Sequence, residues 1–463
     1  MISSSIIAAP PSGSLKRSMK LLGALLITLS GITPASSVFI IAPGVIQEAG
    51  SGAFLSFFAA AIVGILMAYV YAELSSAYPL AGGEYAIVGR VLGPLPGFML
   101  LGLSLATMTL GTAVVALGVA TYLGTALPHL PTATTAAVTV AVSTLIAILN
   151  IRTSAAVTGA FLAVEILSLL ALSVLGFAHV SRPISNLILH PVILDSSHAL
   201  AVAPISAIGL ATAVAIFAYN GYGQAVYFGE ELHDAPRQIA RTILWALAIA
   251  VVAEFVPVTA VLVGAPRLKD LLGSQNMIGD FITARAGTGV NMAISLAIAL
   301  AIFNAAIAIL LQSSRLLFST ARDQVWTPGL NRLLTSTHSR FSSPWAATVV
   351  MGVVCATACY INETFLLVVT GTTLVATYAA LCVAAVAGRR SGSTGHGAYR
   401  MPLFPLPPVA AALALVYVTY ANWEDPVIGR PSLYATVALI AISAGYYLIV
   451  LRRRGDWVLR GPS

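Results

Sequence analysis

The residues of this chain that could do chemistry are polar groups set inside long apolar runs. Glu165 in "FLAVEILSLL" is an isolated carboxyl, and Glu254 stands alone in a second run. Acids at the depth of a membrane are costly to bury and usually serve ion or proton movement. We therefore predict that Glu165 is a titratable group that takes up and releases a proton, the alternative being a hydrogen-bonded structural glutamate. Glu254 lies near Pro257 and Thr259, and we expect it to serve helix packing.

A break in an apolar run is encoded by "SGITPASSVF". Pro34 lacks an N–H and its ring crowds the carbonyl four residues back, while Gly31 weakens the same turn. In hydrocarbon the freed backbone groups need partners from protein, water or a ligand. Because the hydroxyls of Thr33, Ser36 and Ser37 lie at the same level, the broken segment is a candidate binding site.

A second break is encoded five runs later by "IFAYNGYGQAVYF", where Asn220, Gly221 and Gly223 fall among aromatic residues. Broken spans in matching places of two halves indicate a transporter built from inverted repeats, with its substrate held at the midplane. Exposed N–H groups at a half-helix start favour a carboxylate, and freed carbonyls favour an ammonium. An α-amino acid carries both groups, so we predict an amino acid substrate.

The elements that must position these residues are membrane helices. The chain has 58% hydrophobic and 8% charged residues and a mean hydropathy of +0.93, whereas a soluble domain has roughly 25% charged residues. Spanning the hydrocarbon core takes about 20 helical residues. We predict an all-α polytopic membrane protein with twelve transmembrane helices. They lie near 20–46, 52–78, 91–124, 132–150, 155–180, 204–229, 240–264, 289–318, 344–361, 364–388, 403–421 and 433–451.

The net charge of +7 reflects topology rather than nucleic-acid binding. With the N-terminus in the cytoplasm, all but five of the 23 Lys and Arg residues fall on the inner side. This asymmetry follows the positive-inside rule, so we predict a plasma (inner) membrane protein with both termini cytoplasmic. The polar start has no apolar core before Lys16, and we expect an uncleaved tail. The five outer residues are Arg182, Arg267, Lys269, Arg285 and Arg430.

The usual signatures of enzymes and metal sites are absent from the sequence. It contains no His-Glu-x-x-His, no Walker A loop, no Gly-x-Ser-x-Gly and no Gly-x-Gly-x-x-Gly. Cys355, Cys359 and Cys382 lie deep in apolar runs without a nearby histidine, so we expect buried cysteines. We predict a carrier rather than an enzyme, with no cofactor and no bound metal.

Three longer motifs carry a family resemblance. The segment "YAELSSAYPLAGGEYAIVGRVLGPLPGF", followed later by "GEELHDAPRQI" and "SSRLLFSTARDQVWTP", resembles the amino acid-polyamine-organocation superfamily of transporters. The resemblance implies the LeuT-like fold, a five-plus-five inverted repeat with broken helices 1 and 6 and two extra C-terminal helices, working by alternating access. The implied parts are a tail at 1–19, repeats at 20–180 and 204–388, the last two helices at 403–451 and a tail at 452–463.

The resemblance also implies roles for individual residues. The family's Gly-small-Gly triplet, whose amides hold the substrate carboxylate, corresponds here to Ala35-Ser36-Ser37, which lacks the glycines. Phe217 corresponds to the aromatic gate, with Tyr219 or Tyr222 as second choice. Gly223 stands where some exchangers have an acid, and Glu165 stands where some members place a lysine against the first break. The predicted substrate site comprises Thr33, Ala35, Ser36, Ser37, Phe217, Ala218, Tyr219, Asn220 and Tyr222, with helix breaks at Gly31, Pro34, Gly221 and Gly223.

We therefore predict a secondary active transporter for a neutral amino acid, coupled to H⁺. Na⁺ is the alternative ion, because Ser313 or Ser314 could join Glu165 in a site. A polyamine or cationic amine transporter is the nearest alternative, and finding Glu165 and Glu254 in one cavity would favour it. A non-transporting receptor or scaffold is the alternative of another class. The oligomeric state and symport versus exchange stay open.

Charged residues also flank the second and sixth runs at their cytoplasmic ends. They could form a latch that closes the inner side, although solvated surface charge is the expectation for such residues. The residues are Glu73, Glu84, Arg90, Glu230, Glu231, Asp234 and Arg237.

Overall fold

The computed structural model describes residues 17–124, 129–149, 151–195, 197–274, 276–427, 429–455 and 457–460. Within these ranges nine helical runs are long and apolar enough to cross a membrane, and helices Thr132–Ala147 and Trp345–Ala358 are apolar but shorter. Their outward faces carry exposed side chains such as Leu167, Val252 and Ile442. Since such faces suit hydrocarbon and not water, the chain is a multi-pass helical membrane protein. The nine runs are Leu21–Ala77, Pro94–Gly124, Thr153–Phe177, Ile205–Glu231, Ala235–Gly264, Thr288–Arg322, Val369–Ser391, Leu406–Glu424 and Gly429–Arg454.

Helices lie at all the apolar runs that the sequence indicates, with ends that differ by a few residues. The first two runs, 20–46 and 52–78, are joined in one helical stretch through a short 3₁₀ turn. The helices are α1 Leu21–Ile32, α2 Pro34–Ser36, α3 Ala42–Ala49, α4 Ala53–Ala77, α5 Gly83–Val91, α6 Pro94–Gly124, α7 Thr132–Ala147, α8 Ile151–Phe177, α9 Ile184–Leu189, α10 Ile205–Ala218, α11 Ala235–Gly264, α12 Leu268–Gly273, α13 Met277–Ala286, α14 Thr288–Arg322, α15 Pro328–Leu334, α16 Trp345–Ala358, α17 Glu363–Ser391, α18 Leu406–Glu424, α19 Gly429–Tyr446 and α20 Arg452–Arg454. Gly50–Gly52 and Tyr222–Glu231 are 3₁₀ segments, and Ser37–Ile41 and Tyr447–Leu451 are π-helical.

One departure from an all-α fold lies in the loop between α9 and α10. The strands β1 (Val192–Leu194) and β2 (Leu200–Val202) pair antiparallel. The hairpin packs on the 3₁₀ turn after α3, where Val192 N donates to Ser51 Oγ at 2.9 Å. The sequence analysis missed it because strands of three residues carry almost no periodic signal.

The core is built around α14, the most enclosed long helix. Its residues from Ala305 to Ala321 are all buried. The first-span elements α1 and α2 pack against α8, α11 and α14. The break after α1 therefore lies in the protein interior, where its backbone can find partners without lipid contact.

The end of the bundle at which α1 begins and α14 ends carries most of the Arg residues, and we refer to it as the basic end. Three of its acids, Glu73, Glu230 and Glu231, form largely buried ion pairs. Glu73 Oε1 accepts from Arg389 Nε at 2.5 Å, and its Oε2 also accepts from Met401 N at 2.7 Å. Glu230 is bound by both terminal nitrogens of Arg322 at 2.6 and 2.7 Å. These pairs tie the sixth run to α14 and α4 to α17.

The expectation of solvated surface charge is therefore wrong for four of the acids. Glu73, Glu84, Glu230 and Glu231 are buried. Their side-chain partners are arginines and tyrosines from other elements, and not one another. Only the fold brings these groups together, since Arg389 lies 316 positions from Glu73. In contrast, Arg90, Asp234 and Arg237 are exposed, as the sequence suggests.

A segment near the C-terminus lies across the basic end and is held there by Asp323, the residue after α14. Asp323 Oδ1 accepts from Arg460 N at 2.8 Å, and its Oδ2 accepts from the Tyr85 hydroxyl at 3.2 Å. Trp457 Nε1 donates to the same hydroxyl at 2.9 Å. Burial raises the pKa of Asp323 to about 7, although the Arg460 N–H and the Arg322 guanidinium oppose the shift.

We expect the docking of residues 457–460 to depend on pH. The Arg460 N–H lowers the pKa of Asp323, so this hydrogen bond favours the ionised carboxylate and strengthens as the pH rises through 7. Hydrogen exchange, corrected for intrinsic rates, should therefore show these amides more protected at pH 8 than at pH 6. The variant Asp323→Asn keeps an oxygen acceptor and should show equal protection at both pH values. Equal protection in the unmodified chain would contradict the prediction.

Candidate substrate site

The first break is built by a left-handed residue followed by proline. Thr33 has φ 49° and ψ 71°, and its N–H donates to Leu29 O as the last bond of α1. Pro34 starts the next helical piece, which continues through the π-helical segment to the end of α3. The first N–H groups of this continuous run, residues 34–49, have no hydrogen-bond acceptor in α1. They can therefore bind a group from elsewhere.

The second break ends α10 at Ala218 and is completed by glycine. Gly221 has φ 118°, a conformation that residues with a side chain rarely adopt. A 3₁₀ segment, Tyr222–Glu231, follows it. The carbonyls at the end of α10 are thereby left to accept from other elements.

The two breaks touch each other at the centre of the bundle. Ser37 Oγ donates to Ala218 O at 2.7 Å. A Cβ built on Gly221 would lie 2.9 Å from Ile32 Cα, so the backbones are in direct contact there. Next to them, Gln312 Nε2 of α14 donates to Gln224 Oε1 at 2.7 Å. Neither glutamine stood out in the sequence, because a lone amide in an apolar run has no distinguishing spacing.

Glu165 lies against the first break. Its Oε1 accepts from Ala35 N at 2.8 Å, its Oε2 has no hydrogen-bond partner within the described residues, and its side chain has no exposed surface. Thr33 lies beside it. The Ala35 amide is one of those that the resemblance assigns to the substrate carboxylate. In this conformation it is occupied by a carboxyl of the protein itself.

Glu254 of α11 faces the same region. Its nearest polar neighbours include Ser37 and Glu165, and the Tyr219 hydroxyl also lies within electrostatic range of it. Neither carboxyl oxygen of Glu254 has a hydrogen-bond partner in the described part of the chain, and the same is true of the Tyr219 hydroxyl. Since buried polar groups are normally bonded, these unpaired oxygens make the cluster a candidate site for a ligand or a proton. The sequence showed Glu254 as an isolated acid in an apolar run, but it did not show which residues surround this side chain.

The aromatic residues that the sequence singled out have different surroundings. Phe217 is half-buried, whereas Tyr219 and Tyr222 are buried. Tyr219 packs edge-on against Phe57 at 5.8 Å, and Tyr222 packs edge-on against Tyr71 at 5.9 Å. Of the three, only Phe217 lines a large cavity.

That cavity, of about 400 Å³, opens at the end opposite the basic end, between α3, α10, α17 and α18. Its walls are mostly apolar, and it reaches inward to Phe217 and Tyr378. The Tyr378 hydroxyl donates to Asn220 Oδ1 at 2.9 Å and so connects the cavity to the second break. Tyr378 was missed by sequence reasoning, because one aromatic residue in an apolar span is not distinctive.

A second cavity, of about 50 Å³, lies on the other side of the second break and has room for a few water molecules. Its polar walls include Asn220, Gln224 and Glu84. Glu84 accepts from the hydroxyls of Tyr71 and Tyr227. A buried carboxyl and two tyrosine hydroxyls therefore pack between the second break and the basic end.

The remaining predicted residues have varied surroundings, and the two serines of α14 do not contact Glu165. Ser313 and Ser314 donate to Leu310 O and Leu311 O of their own helix, at 3.2 and 2.9 Å. Ala35 has no exposed surface, Ser36 is half-buried, and the ring of Tyr71 lies next to Gly223. The three cysteines are buried and none is paired with another. Within the described ranges, no three His, Cys, Asp or Glu residues come together as metal ligands would.

Two interrupted spans that meet around buried carboxyls, within a multi-pass helical bundle, define a membrane transporter. The model of the amino acid permease family matches residues 19–443, and the chain belongs to this family, within the amino acid-polyamine-organocation superfamily. The prediction from the motifs is confirmed. Because the family and its members are transporters, the prediction that the protein is not an enzyme is confirmed as well.

Three relatives illustrate the range of the family. An uncharacterised transporter of Mycobacterium tuberculosis is 30% identical over 352 residues, covering 74% of this chain and 73% of the relative. The branched-chain amino acid permease BcaP of Lactococcus lactis is 25% identical over 446 residues, covering 92% of each. A methylthioribose transporter of Bacillus subtilis is 25% identical over 425 residues, covering 86% of this chain and 88% of the relative.

Proposed function

We propose that this protein is a secondary active transporter that carries a neutral amino acid across the plasma membrane together with a proton. The observation that carries the proposal is the contact between Glu165 and the Ala35 amide. It puts a titratable group on the backbone segment that is best placed to bind a substrate carboxylate. The transporter needs no cofactor in this proposal, and H⁺ is the coupling ion.

The architecture that goes with this function has twelve spans. The stretch Leu21–Ala77 divides at its 3₁₀ turn into two of them, and α7 and α16 add two that are short. Spans one to five (20–180) and six to ten (204–388) form the inverted repeats, and 403–451 holds the last two. We assign the tails 1–19 and 452–463 to the cytoplasm, since their described residues next to the helices, 17–19 and 452–455, lie at the basic end.

Alternating access is supported by the asymmetry between the two ends. Buried ion pairs close the basic end, which we assign to the cytoplasm, while the larger cavity opens outward. A carrier must open each side in turn, so these pairs have to separate when substrate leaves inward.

The substrate class follows from the walls of the larger cavity. Phe217, Leu374, Val375 and Val418 line it, which suits an apolar side chain more than a charged one. The name of the Lactococcus lactis relative supports a branched-chain amino acid. The Bacillus subtilis relative, named for methylthioribose, means that family membership alone does not fix the substrate.

A cationic amine is the second candidate, and Glu254 favours it. Two carboxyls without a basic partner at one site suit an ammonium ligand. Against it, neither Glu165 nor Glu254 lines either cavity described above. The sequence analysis required both acids to line one cavity for an amine transporter. This conformation does not meet that condition.

Uptake into proteoliposomes tests the function. We expect leucine, isoleucine or valine to accumulate under an inward pH gradient and not under a Na⁺ gradient alone, with lysine and putrescine excluded. Glu165→Gln should retain counterflow exchange but lose accumulation. The matched control is Glu363→Gln, an exposed acid in the first turn of α17, which should accumulate substrate normally.

The contrary outcomes separate the alternatives. Accumulation driven by Na⁺ would replace H⁺ as the coupling ion, and uptake of putrescine would favour the amine transporter. Normal accumulation by Glu165→Gln would make Glu165 structural. No flux of any tested solute would favour a receptor or scaffold.

A further inference from the structure

The first free amide after the break in the first span already holds a carboxyl. Ala35 N donates to Glu165 Oε1 at 2.8 Å, across 130 positions of sequence. Both residues have no exposed surface, so the contact is shielded from bulk solvent. The helical run 34–49 begins at this point, and the amides at such a start favour an anion. Glu165 thus shows directly that this amide binds a carboxylate-type oxygen.

A backbone amide has a single hydrogen and cannot serve two carboxylates well at once. We propose that ionised Glu165 occupies the place of the substrate carboxylate, and that the two compete for the Ala35 amide. This inference rests on the proposed function and adds to it the way in which proton and substrate are coupled.

The competition gives a balanced cycle. A proton from the outer side neutralises Glu165, whose oxygen is then the weaker acceptor and yields the amide to the substrate carboxylate. Proton and substrate cross together. On the inner side the substrate leaves, Glu165 gives its proton to the cytoplasm, and its carboxylate returns to Ala35 N. One proton accompanies one substrate, and no other reactant is required.

The surroundings of Glu165 identify the groups that a pH test must separate. From α11, Glu254 faces it, and Tyr219 at the end of α10 faces Glu254. Thr33, the residue after α1, is neutral. On α14, which packs against α8, Asn304 is neutral as well, and its Nδ2 donates to Ser30 Oγ at 2.8 Å and to Thr158 O of α8 at 3.0 Å. Glu254 is therefore the second titratable acid to control for.

Equilibrium binding of the radiolabelled neutral amino acids to the purified full chain, from pH 5 to 8.5, tests the competition. For the unmodified protein we expect Kd to rise with pH, by up to about tenfold per unit on the alkaline side. Glu165→Ala should bind as tightly as the unmodified protein does at low pH, with a Kd that no longer changes with pH. Glu254→Gln should keep the pH dependence.

A shorter acid separates contact from charge. Glu165→Asp keeps a titratable carboxyl but is one methylene short of Ala35 N, so competition predicts a much flatter pH profile. A pH profile as steep as that of the unmodified protein would mean that repulsion between the two carboxylates alone causes the pH dependence of Kd. That result would overturn the proposal. Loss of binding by both Glu165→Ala and Glu165→Gln, in protein that remains monodisperse and folded, would also overturn it.

The failure of this inference can be told apart from failure of the proposed function. Amino acid binding to the unmodified protein with a constant Kd would reject the competition and leave amino acid transport intact. Absence of any amino acid binding would reject both.

Discussion

Replacing Gly221 with alanine is expected to abolish transport. The residue has φ 118°, and a left-handed backbone costs a residue with a side chain about 1–2 kcal/mol. The new methyl group would also lie 2.9 Å from Ile32 Cα and 3.2 Å from Ile32 N, which are backbone atoms that cannot turn aside. Overpacking of this kind costs about 1–3 kcal/mol. The variant must push the two breaks apart, and the substrate site lies where they meet.

The initial rate of amino acid uptake measures this effect, with thermal stability in detergent as a second reading. Gly445→Ala is the matched control, because Gly445 lies in helix α19 and a Cβ there has no atom within 4 Å. The control should transport normally, with unchanged or slightly higher stability. Normal uptake by Gly221→Ala would show that the two breaks need not touch.

The second large effect is expected at the ion pair between Arg315 and Glu231. Arg315 is fully buried and binds both carboxylate oxygens of Glu231, at 2.6 and 3.1 Å, with its guanidinium 5.5 Å from the Phe228 ring centroid. Arg315→Met leaves Glu231 as a buried charge without its partner. Breaking one side of such a pair costs about 3–5 kcal/mol. We therefore expect a large drop in the unfolding temperature.

The double variant Arg315→Met with Glu231→Met should recover most of that stability, since no isolated charge remains. As an exposed counterpart, Arg267→Met breaks the pair with Asp270, whose side chains are 82% and 59% exposed, and should change stability by less than about 0.5 kcal/mol. Similar temperature shifts for the two single variants would contradict the distinction between buried and exposed pairs.

Much of the fold was predictable because its signals are local. Each apolar run of spanning length is a helix in the structure, and the interruptions at Pro34 and Gly221 follow from backbone chemistry that one residue imposes. The hairpin at Val192–Leu194 and Leu200–Val202 escaped notice because so short a pairing leaves no pattern. The four acids at the basic end were misjudged because a charge next to a span looks the same in sequence whether solvent or an arginine from another helix faces it.

The candidate site was predictable in its types of residue but not in its contacts. Glu165 stood out as an acid in an apolar run, and the resemblance placed it near the first break. Its acceptance of the Ala35 N–H, and the presence of Glu254 beside both, depend on how α8 and α11 pack against α1.

The sequence by itself determined that this protein is a helical membrane transporter of the amino acid-polyamine-organocation superfamily with two interrupted spans. Hydropathy, proline, glycine and charge act on neighbouring residues and are therefore visible along the chain. Only the tertiary structure decided which buried groups face one another: Glu165 with Ala35, Ser37 with Ala218, and Arg315 with Glu231. Those contacts join residues 84 to 181 positions apart, and only the packing of whole helices places such residues within hydrogen-bonding distance.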